Sequence, residues 1–289
     1  MAENMHYPSL KRLMQPAVHL FFGYYELSRS KMIRTFGRVL SRILQTLPLK
    51  LAAETKSQFF LTTTMPYKKI IRFTVNSRRD LSRSRFTVND PETVDWIEEC
   101  ARDPGTFYDV GANVGSVSII YTSLTSSAHI YAFEPLFSTY STLCSNIILN
   151  DFTDRISAFP TALSDKTGAD HFLITTPNSG SSGHSLEDSA STRLTDSCKQ
   201  KIPVLTMTLD HFCLTLQFPV PDYLKIDVDG HDFEVLLGAR QLLQNGRIRG
   251  ITVEKGNKGQ QIRDYLLRYD FCEIPLRSNS DNLRFDRLA

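Results

Sequence analysis

Beyond residue 90 the apolar positions of the chain fall into two alternating rhythms. Short unbroken apolar runs predict strands at "TFYDV" (106–110), "HIYAFEP" (129–135), "RISAFPTALS" (155–164), the centre of "PDYLKIDVDG" (221–230) and "RIRGITVEKG" (247–256). Helical spacing predicts "SVSIIYTSL" (116–124), "STYSTLCSNIILN" (138–150) with Leu143, Ile147 and Ile148 as its apolar positions, and "DFEVLLGARQLLQNG" (232–246) ending at Gly246. A further helix, "QIRDYLLRYD" (261–270), precedes two strands, "FCEIPLR" (271–277) and "NLRFDR" (282–287). Repeated strand–helix–strand units imply a doubly wound α/β fold: a mostly parallel, seven-stranded sheet with helices on both faces and right-handed crossovers. The last two strands have no helix between them, so they are expected to form an antiparallel pair at one edge.

The first ninety residues read differently. Over 28–47, Ile33, Phe36, Leu40, Ile43, Leu44 and Leu47 recur at helical spacing, Arg34, Arg38 and Arg42 occupy another face, and Pro48 ends the run. Such a helix either packs its apolar face on a body and leaves the arginines in water, or lies on an anionic membrane surface. Residues 77–86, "SRRDLSRSRF", read as a basic connector. In "NDPETVDWIEEC", Asp90 is a candidate N-cap with Pro91 at the first helical position and acids in the first turns. The expected division is therefore a basic, mainly helical extension over 1–90 and an α/β domain over 91–289. Charge follows that division: residues 1–90 carry 16 Lys and Arg against 5 Asp and Glu, and the remainder carries 17 against 26. The Ser-, Thr- and Gly-rich stretch 175–200 is expected to be a long loop.

Composition narrows the class. With 289 residues, 41% hydrophobic and 22% charged, the chain is an ordinary globular one. Its five cysteines are widely spaced without a CxxC pair, which fits reduced thiols in a cytoplasmic protein rather than a disulfide or zinc framework. No apolar run reaches the roughly eighteen residues of a spanning helix, and the start lacks the order of a secretory signal. The expected location is cytoplasmic, with peripheral membrane contact through 28–47 as the one membrane role; nucleic acid is not an expected partner.

Candidate chemistry begins at "FYDVGANVGSVSII" (107–120). A Walker A loop would need a lysine, and a dinucleotide loop GxGxxG would need glycine where Asn113 stands. Asp109 at the strand end disfavours a pyrophosphate and favours an ammonium. The helix start near Gly115 suits a carboxylate. A ligand with both charges, an amino-acid-like group, fits this loop. Glu134, ending the next strand in "AFEP", can accept both hydroxyls of a ribose. Together these features point to S-adenosylmethionine.

"FYDVGANVG", "FEP", "TALSDKTG" (161–168) and "LKIDVDGHDFEVLLGA" (224–239) together resemble the FkbM-type methyltransferases, a branch of the class I, Rossmann-like methyltransferase fold. The resemblance covers roughly residues 90–275. It implies methyl transfer from S-adenosylmethionine, mainly to hydroxyl oxygens of sugars, glycolipids or natural products, hence a small-molecule, glycan or lipid acceptor. By position it assigns Asp109, Gly111, Ala112, Asn113 and Gly115 to the methionine part of the cofactor, and Glu134 and Pro135 to the ribose end. It puts Ala162 and Asp165 near the adenine and Asp227 near the methyl. The family more often has Glu where Asp229 and Asp232 stand.

For a hydroxyl acceptor one base must take a proton. Asp227, Asp229 and His231 cluster at one strand-to-helix turn, and His231, titrating in the useful range, is the first candidate. Asp227 is the alternative, as base, cofactor ligand or acceptor guide. Lys225 is expected to pair with a nearby acid. "DVDGHD" is not an EF-hand, since its glycine falls too early; a single magnesium ion on Asp227, Asp229 and Asp232 is the metal alternative, and no metal is expected. His184 reads as a solvated loop residue or a lid residue. Rival functions are a nicotinamide oxidoreductase, opposed by the absent GxGxxG, an N-methylating relative, and a non-catalytic module whose basic arm binds membrane or nucleic acid.

Overall fold

The computed structural model describes residues 62–67, 69–175, 178–187, 200–277 and 280–288. The chain divides into two compact units, Met1–Phe60 and Leu61–Ala289, and the description is of the second. The amphipathic segment 28–47 lies outside the described residues.

A hairpin of β1 (Thr62–Pro66) and β2 (Ile70–Thr74) comes first. Three helices follow, α1 (Arg78–Arg83), α2 (Phe86–Asn89) and α3 (Pro91–Cys100). The stretch 77–86, expected as a connector, thus carries a helix. Its cause is a capping box: Ser77 Oγ accepts from the amides of Arg79 and Asp80, while the Asp80 carboxylate accepts from the Ser77 amide. Asp90 caps α3 by accepting from the Thr93 amide at 3.1 Å, with Pro91 at the first position, as expected.

The body alternates as its apolar pattern predicts. β3 (Phe107–Val110), α4 (Ser116–Leu124), β4 (Ile130–Phe133), α5 (Phe137–Leu149) and β5 (Ile156–Phe159) form the first half. A second sheet interrupts, with β6 (Ala162–Leu163), β7 (Gly168–Ile174), β8 (Ser185–Leu186) and β9 (Gln200–Met207) in the order β6-β9-β7-β8. β10 (Tyr223–Ile226), α6 (Asp232–Leu237), α7 (Arg240–Gln244), β11 (Gly250–Glu254), α8 (Gly259–Leu266), β12 (Phe271–Ile274) and β13 (Asn282–Arg287) complete the chain.

The main sheet has seven strands in the order β12-β13-β11-β10-β3-β4-β5. The five central and distal strands β11, β10, β3, β4 and β5 are parallel, and β13 runs antiparallel to both neighbours. Strand order reverses between β3 and β10, so the loops after these two strands open a crevice at their carboxyl ends. Alternation along β3 serves both faces. Tyr108 and Val110 join Leu224, Ile226, Val235 and Leu236 in one core. Phe107 joins Trp96, Ile120, Ile130 and Leu143 in the other. Met65, Ile71 and Phe73 of the hairpin belong to that second core, so residues on both sides of position 90 share it.

Two expected elements are split. "RISAFPTALS" divides at Pro160, which has no N–H for the ladder, and β5 and β6 enter different sheets. "DFEVLLGARQLLQNG" divides at Gly238, whose absent Cβ would lie 2.1 Å from the Ser164 carbonyl oxygen. Asp210 then caps α7, accepting from the amides of Gln241 and Leu242 at 2.9 and 3.0 Å.

Candidate active site

The loop after β3 is shaped by close backbone approaches. Gly111 has φ +75°, and a Cβ there would stand 1.9 Å from the Asp227 carbonyl oxygen. Only glycine permits the β3 and β10 loops to pass so near. The amides of Gly111 and Ala112 both donate to the Phe133 carbonyl, at 3.0 and 2.9 Å, tying the loop to the end of β4.

That tie brings Glu134 to the loop. Its Oε2 accepts from the Asn113 amide at 3.0 Å and its Oε1 from the Leu136 amide at 2.8 Å. Burial pushes its carboxyl up to about 7, against the pull of those two amides. Each oxygen has accepted one donor and can take another. A vicinal diol such as a ribose is a suitable partner.

Asp109 stands behind this wall rather than in it. Its carboxylate is fully buried, with Oδ1 3.1 Å from Lys225 Nζ and Oδ2 accepting from the amide and hydroxyl of Ser118. The ammonium it meets is that of Lys225, set directly opposite by the β3–β10 register. Lys225 Nζ also lies 3.5 Å from Asp227 Oδ2 and donates to the Gly111 carbonyl. Burial pulls the Lys225 ammonium down, but Asp109 and Asp227 together hold it above the usual lysine range.

The turn after β10 gathers the other candidates. Asp227 is half exposed on its Lys225 contact. Asp229 sits at φ +53° and its Oδ2 accepts from the Gly183 amide at 2.7 Å. Asp232 closes the turn, accepting from the amides of Val228 and Gly230 at 3.0 and 3.1 Å. Its carboxyl is pushed up to about 6 by burial, against those amides. His231 is buried; its Nε2 is 3.0 Å from Ser164 Oγ and its Nδ1 3.8 Å from Glu234. Burial lowers its pKa, so the ring is neutral near pH 7.

Residues 178–184 lie against both loops. Asn113 Nδ2 donates to the Ser181 carbonyl at 3.1 Å, and Gly183 is held by Asp229. His184 is buried, not solvated: its Nε2 is 2.8 Å from Ser181 Oγ, and burial lowers it to about 4.

These pieces enclose a cavity of about 510 Å³, within the usual range for small-molecule sites. Of the residues expected at the site, Gly111, Asn113, Glu134, Pro135, Ala162, Asp227, Asp229 and His231 line it. Asp109, Ala112, Gly115 and Asp165 do not. Sequence reasoning passed over Glu254, which ends β11 and lines the cavity; the available signal was an acid closing an apolar strand, as in "AFEP". It also missed Arg83, Asn89, Glu92, Arg277 and Asn282 in the wall, which no local pattern marks. Among the described residues the lining sets Asp90, Glu92, Glu134, Asp227, Asp229, Glu254 and Asp281 against Arg83 and Arg277, a net acidic set. That balance suits a cationic, hydroxyl-bearing ligand better than a pyrophosphate.

Residues 109–272, more than half of the chain, match the model of the methyltransferase FkbM domain. Hexuronic acid methyltransferase AglP of Haloferax volcanii is 26% identical over 189 residues, 64% of this chain and 71% of that protein. Among solved structures, a methyltransferase from Geobacter sulfurreducens aligns at 11% identity and TM-score 0.43, covering 84% of this chain and 99% of that one. Magnesium protoporphyrin IX methyltransferase from Synechocystis PCC 6803, with bound S-adenosylmethionine, aligns at 14% identity and TM-score 0.42, covering 74% and 85%. Arg83, Asn89 and Glu92 precede the matched region, and Arg277 and Asn282 follow it. Among the described residues no helix is long and apolar enough to cross a membrane.

Proposed function

Because the chain belongs to the FkbM methyltransferase family and takes its methyl group from S-adenosylmethionine, we propose that its acceptor is a hydroxyl oxygen of a sugar, free or carried on a lipid or other natural product. The family's class I fold is the one observed, a doubly wound sheet whose order reverses at the cavity. One observation carries the acceptor reading. Asp227, Asp229 and Glu254 surround the same cavity as Glu134, so hydroxyl-accepting groups stand beside the donor site. The hexuronic acid methyltransferase relative supports a sugar. Arg83, also in the wall, offers a guanidinium to an acidic sugar's own carboxylate.

In this reading Gly111 to Asn113 hold the methionine part of the cofactor, Glu134 accepts from its ribose hydroxyls, and Pro135, Ala162 and Leu163 face its base. When bound, S-adenosylmethionine supplies a methyl group already activated by its sulfonium. The chain contributes alignment, which is the largest generic term in such displacements. It also encloses the donor under residues 178–184 and provides groups to receive the hydroxyl proton. Asp109 and Lys225 act on the site through the backbone: the lysine holds the Gly111 carbonyl and the Asp227 carboxylate in place.

Isothermal titration of the wild-type protein and Glu134→Ala with S-adenosylmethionine and S-adenosylhomocysteine tests the donor site. Transfer of labelled methyl to a panel of neutral and uronic methyl glycosides tests the acceptor. Tight binding to the variant would overturn the role of Glu134, and labelling of amines but not hydroxyls would overturn the acceptor class.

A further inference from the structure

We propose that Glu254 is the general base that takes the acceptor's hydroxyl proton, and that the acceptor is accordingly a neutral hydroxyl and not a carboxylate. The inference rests on the methyltransferase reading above and deepens it.

Placement is the first ground. Glu254 closes β11, the neighbour of β10, and Ile226 pairs in register with Val253. Asp227 and Glu254 therefore leave their strands at the same level, side by side at the mouth of the crevice. Both line the cavity.

Availability is the second ground. Among the described residues nothing donates a hydrogen bond to the Glu254 carboxylate or pairs with it. The other acids of the wall are engaged or exposed, Asp227 and Asp229 being both. Glu134 takes two backbone amides, Asp227 meets Lys225, and Asp229 takes the Gly183 amide. Asp90 takes the Thr93 amide, and Glu92 meets the amide and guanidinium of Arg277. Asp281 is exposed. His231, the candidate base from sequence, has Nε2 against Ser164 and Nδ1 toward Glu234, so both ring nitrogens face protein.

The electrostatics agree. Burial pushes the Glu254 carboxyl up to about 7, and Asp227, Asp232 and Asp229 push in the same direction, with only Lys225 opposing. Across β13 its partner is the neutral Asn282. Lys255, next in sequence, turns its ammonium to the Ser280 carbonyl, and Lys258 pairs with Glu234. A base poised near the working pH is the most effective kind.

The step balances without a further reactant. The hydroxyl oxygen forms a bond to the methyl carbon as the carbon–sulfur bond breaks. That bond's electron pair stays on sulfur, which becomes a neutral thioether. The hydroxyl proton passes to a Glu254 carboxylate oxygen and later to water. A carboxylate acceptor would have no proton to give, and would bring a negative charge against Asp227, Asp229 and an ionised Glu254.

The test has two arms on the full chain. In the first, the protein saturated with S-adenosylhomocysteine is treated with a water-soluble carbodiimide and glycinamide between pH 5 and 9, and the peptide holding Glu254 is read by mass spectrometry. Glu254 should be modified with the cofactor product bound, with half-maximal loss of reactivity near pH 7. Protection by the cofactor product, or reactivity lost already below pH 5, would overturn the proposal. The second arm measures labelled methyl transfer to the glycoside panel. Glu254→Gln should lower kcat by about 10²–10⁴-fold, with binding of S-adenosylhomocysteine within threefold of wild type. It should also lose the acid limb of the pH profile. Glu254→Asp should keep that limb at a reduced rate, which separates lost chemistry from lost folding. A Glu254→Gln enzyme that keeps both rate and acid limb would overturn the proposal. Failure of the wild type to bind S-adenosylhomocysteine would instead remove the methyltransferase reading itself.

Discussion

Replacing Lys225 by Met tests whether the ion pair beneath the donor loop holds the site together. Its side chain is 7% exposed and that of Asp109 is fully buried, 3.1 Å away. Methionine fills the stem volume but leaves Asp109 Oδ1 without a counter-charge and frees the Gly111 carbonyl. Removing one partner of a buried pair costs about 3–5 kcal/mol, a large share of the 5–15 kcal/mol typical of whole domains. Adding Asp109→Asn removes the stranded charge while an amide oxygen can still accept from Ser118. The double variant should recover part of the loss, with a coupling of about 1–3 kcal/mol. Urea unfolding followed by circular dichroism, on wild type, both single variants and the double, gives the four corners of the cycle. A Lys225→Met loss under about 1 kcal/mol, or single losses that simply add, would refute the argument.

Other consequences are simpler to read. Affinity for S-adenosylhomocysteine should fall as pH drops through about 7, because a protonated Glu134 can no longer accept from both hydroxyls; titration calorimetry at pH 6–8.5 should show this slope, and Glu134→Gln should flatten it. Gly111→Ala, with φ +75° and a Cβ 1.9 Å from the Asp227 carbonyl, should abolish cofactor binding and lower stability by about 3 kcal/mol or more, visible as a fall in Tm. Asp229→Ala should release residues 178–184, raising amide exchange there by about tenfold while protection in β3 and β10 stays unchanged. Replacing Arg34, Arg38 and Arg42 by Ala in the full chain should weaken co-sedimentation with phosphatidylglycerol vesicles; equal binding by the variant would remove the membrane role of that segment.

What the sequence made legible was local. The parallel strands could be read because burial on both faces makes them unbroken apolar runs. The Gly111 loop and Glu134 could be read because closely spaced glycines after one apolar strand and an acid closing the next are local signatures, although their contacts cross between units. β7 and β9 were missed because much of each is exposed, and Pro203 interrupts the second. Helix α1 was missed because a polar capping box, not apolar spacing, defines it. Asp109 was recognised as important, but its partner Lys225 stands over a hundred positions away. Only the strand order makes them neighbours. The same holds for Glu254, which becomes part of the site once β11 is known to lie beside β10.

The wall of the cavity is assembled from two kinds of sequence. Gly111, Glu134 and Asp227 lie in the family's common stretch, while Arg83, Glu92, Arg277 and Asn282 lie in flanks beyond it. If the acceptor meets the wall where Arg83 stands, as proposed above, then the specificity of this chain is set by sequence outside the stretch that defines its family. A search for what it methylates should therefore begin with residues 83–92 and 277–282 and not with the donor loop.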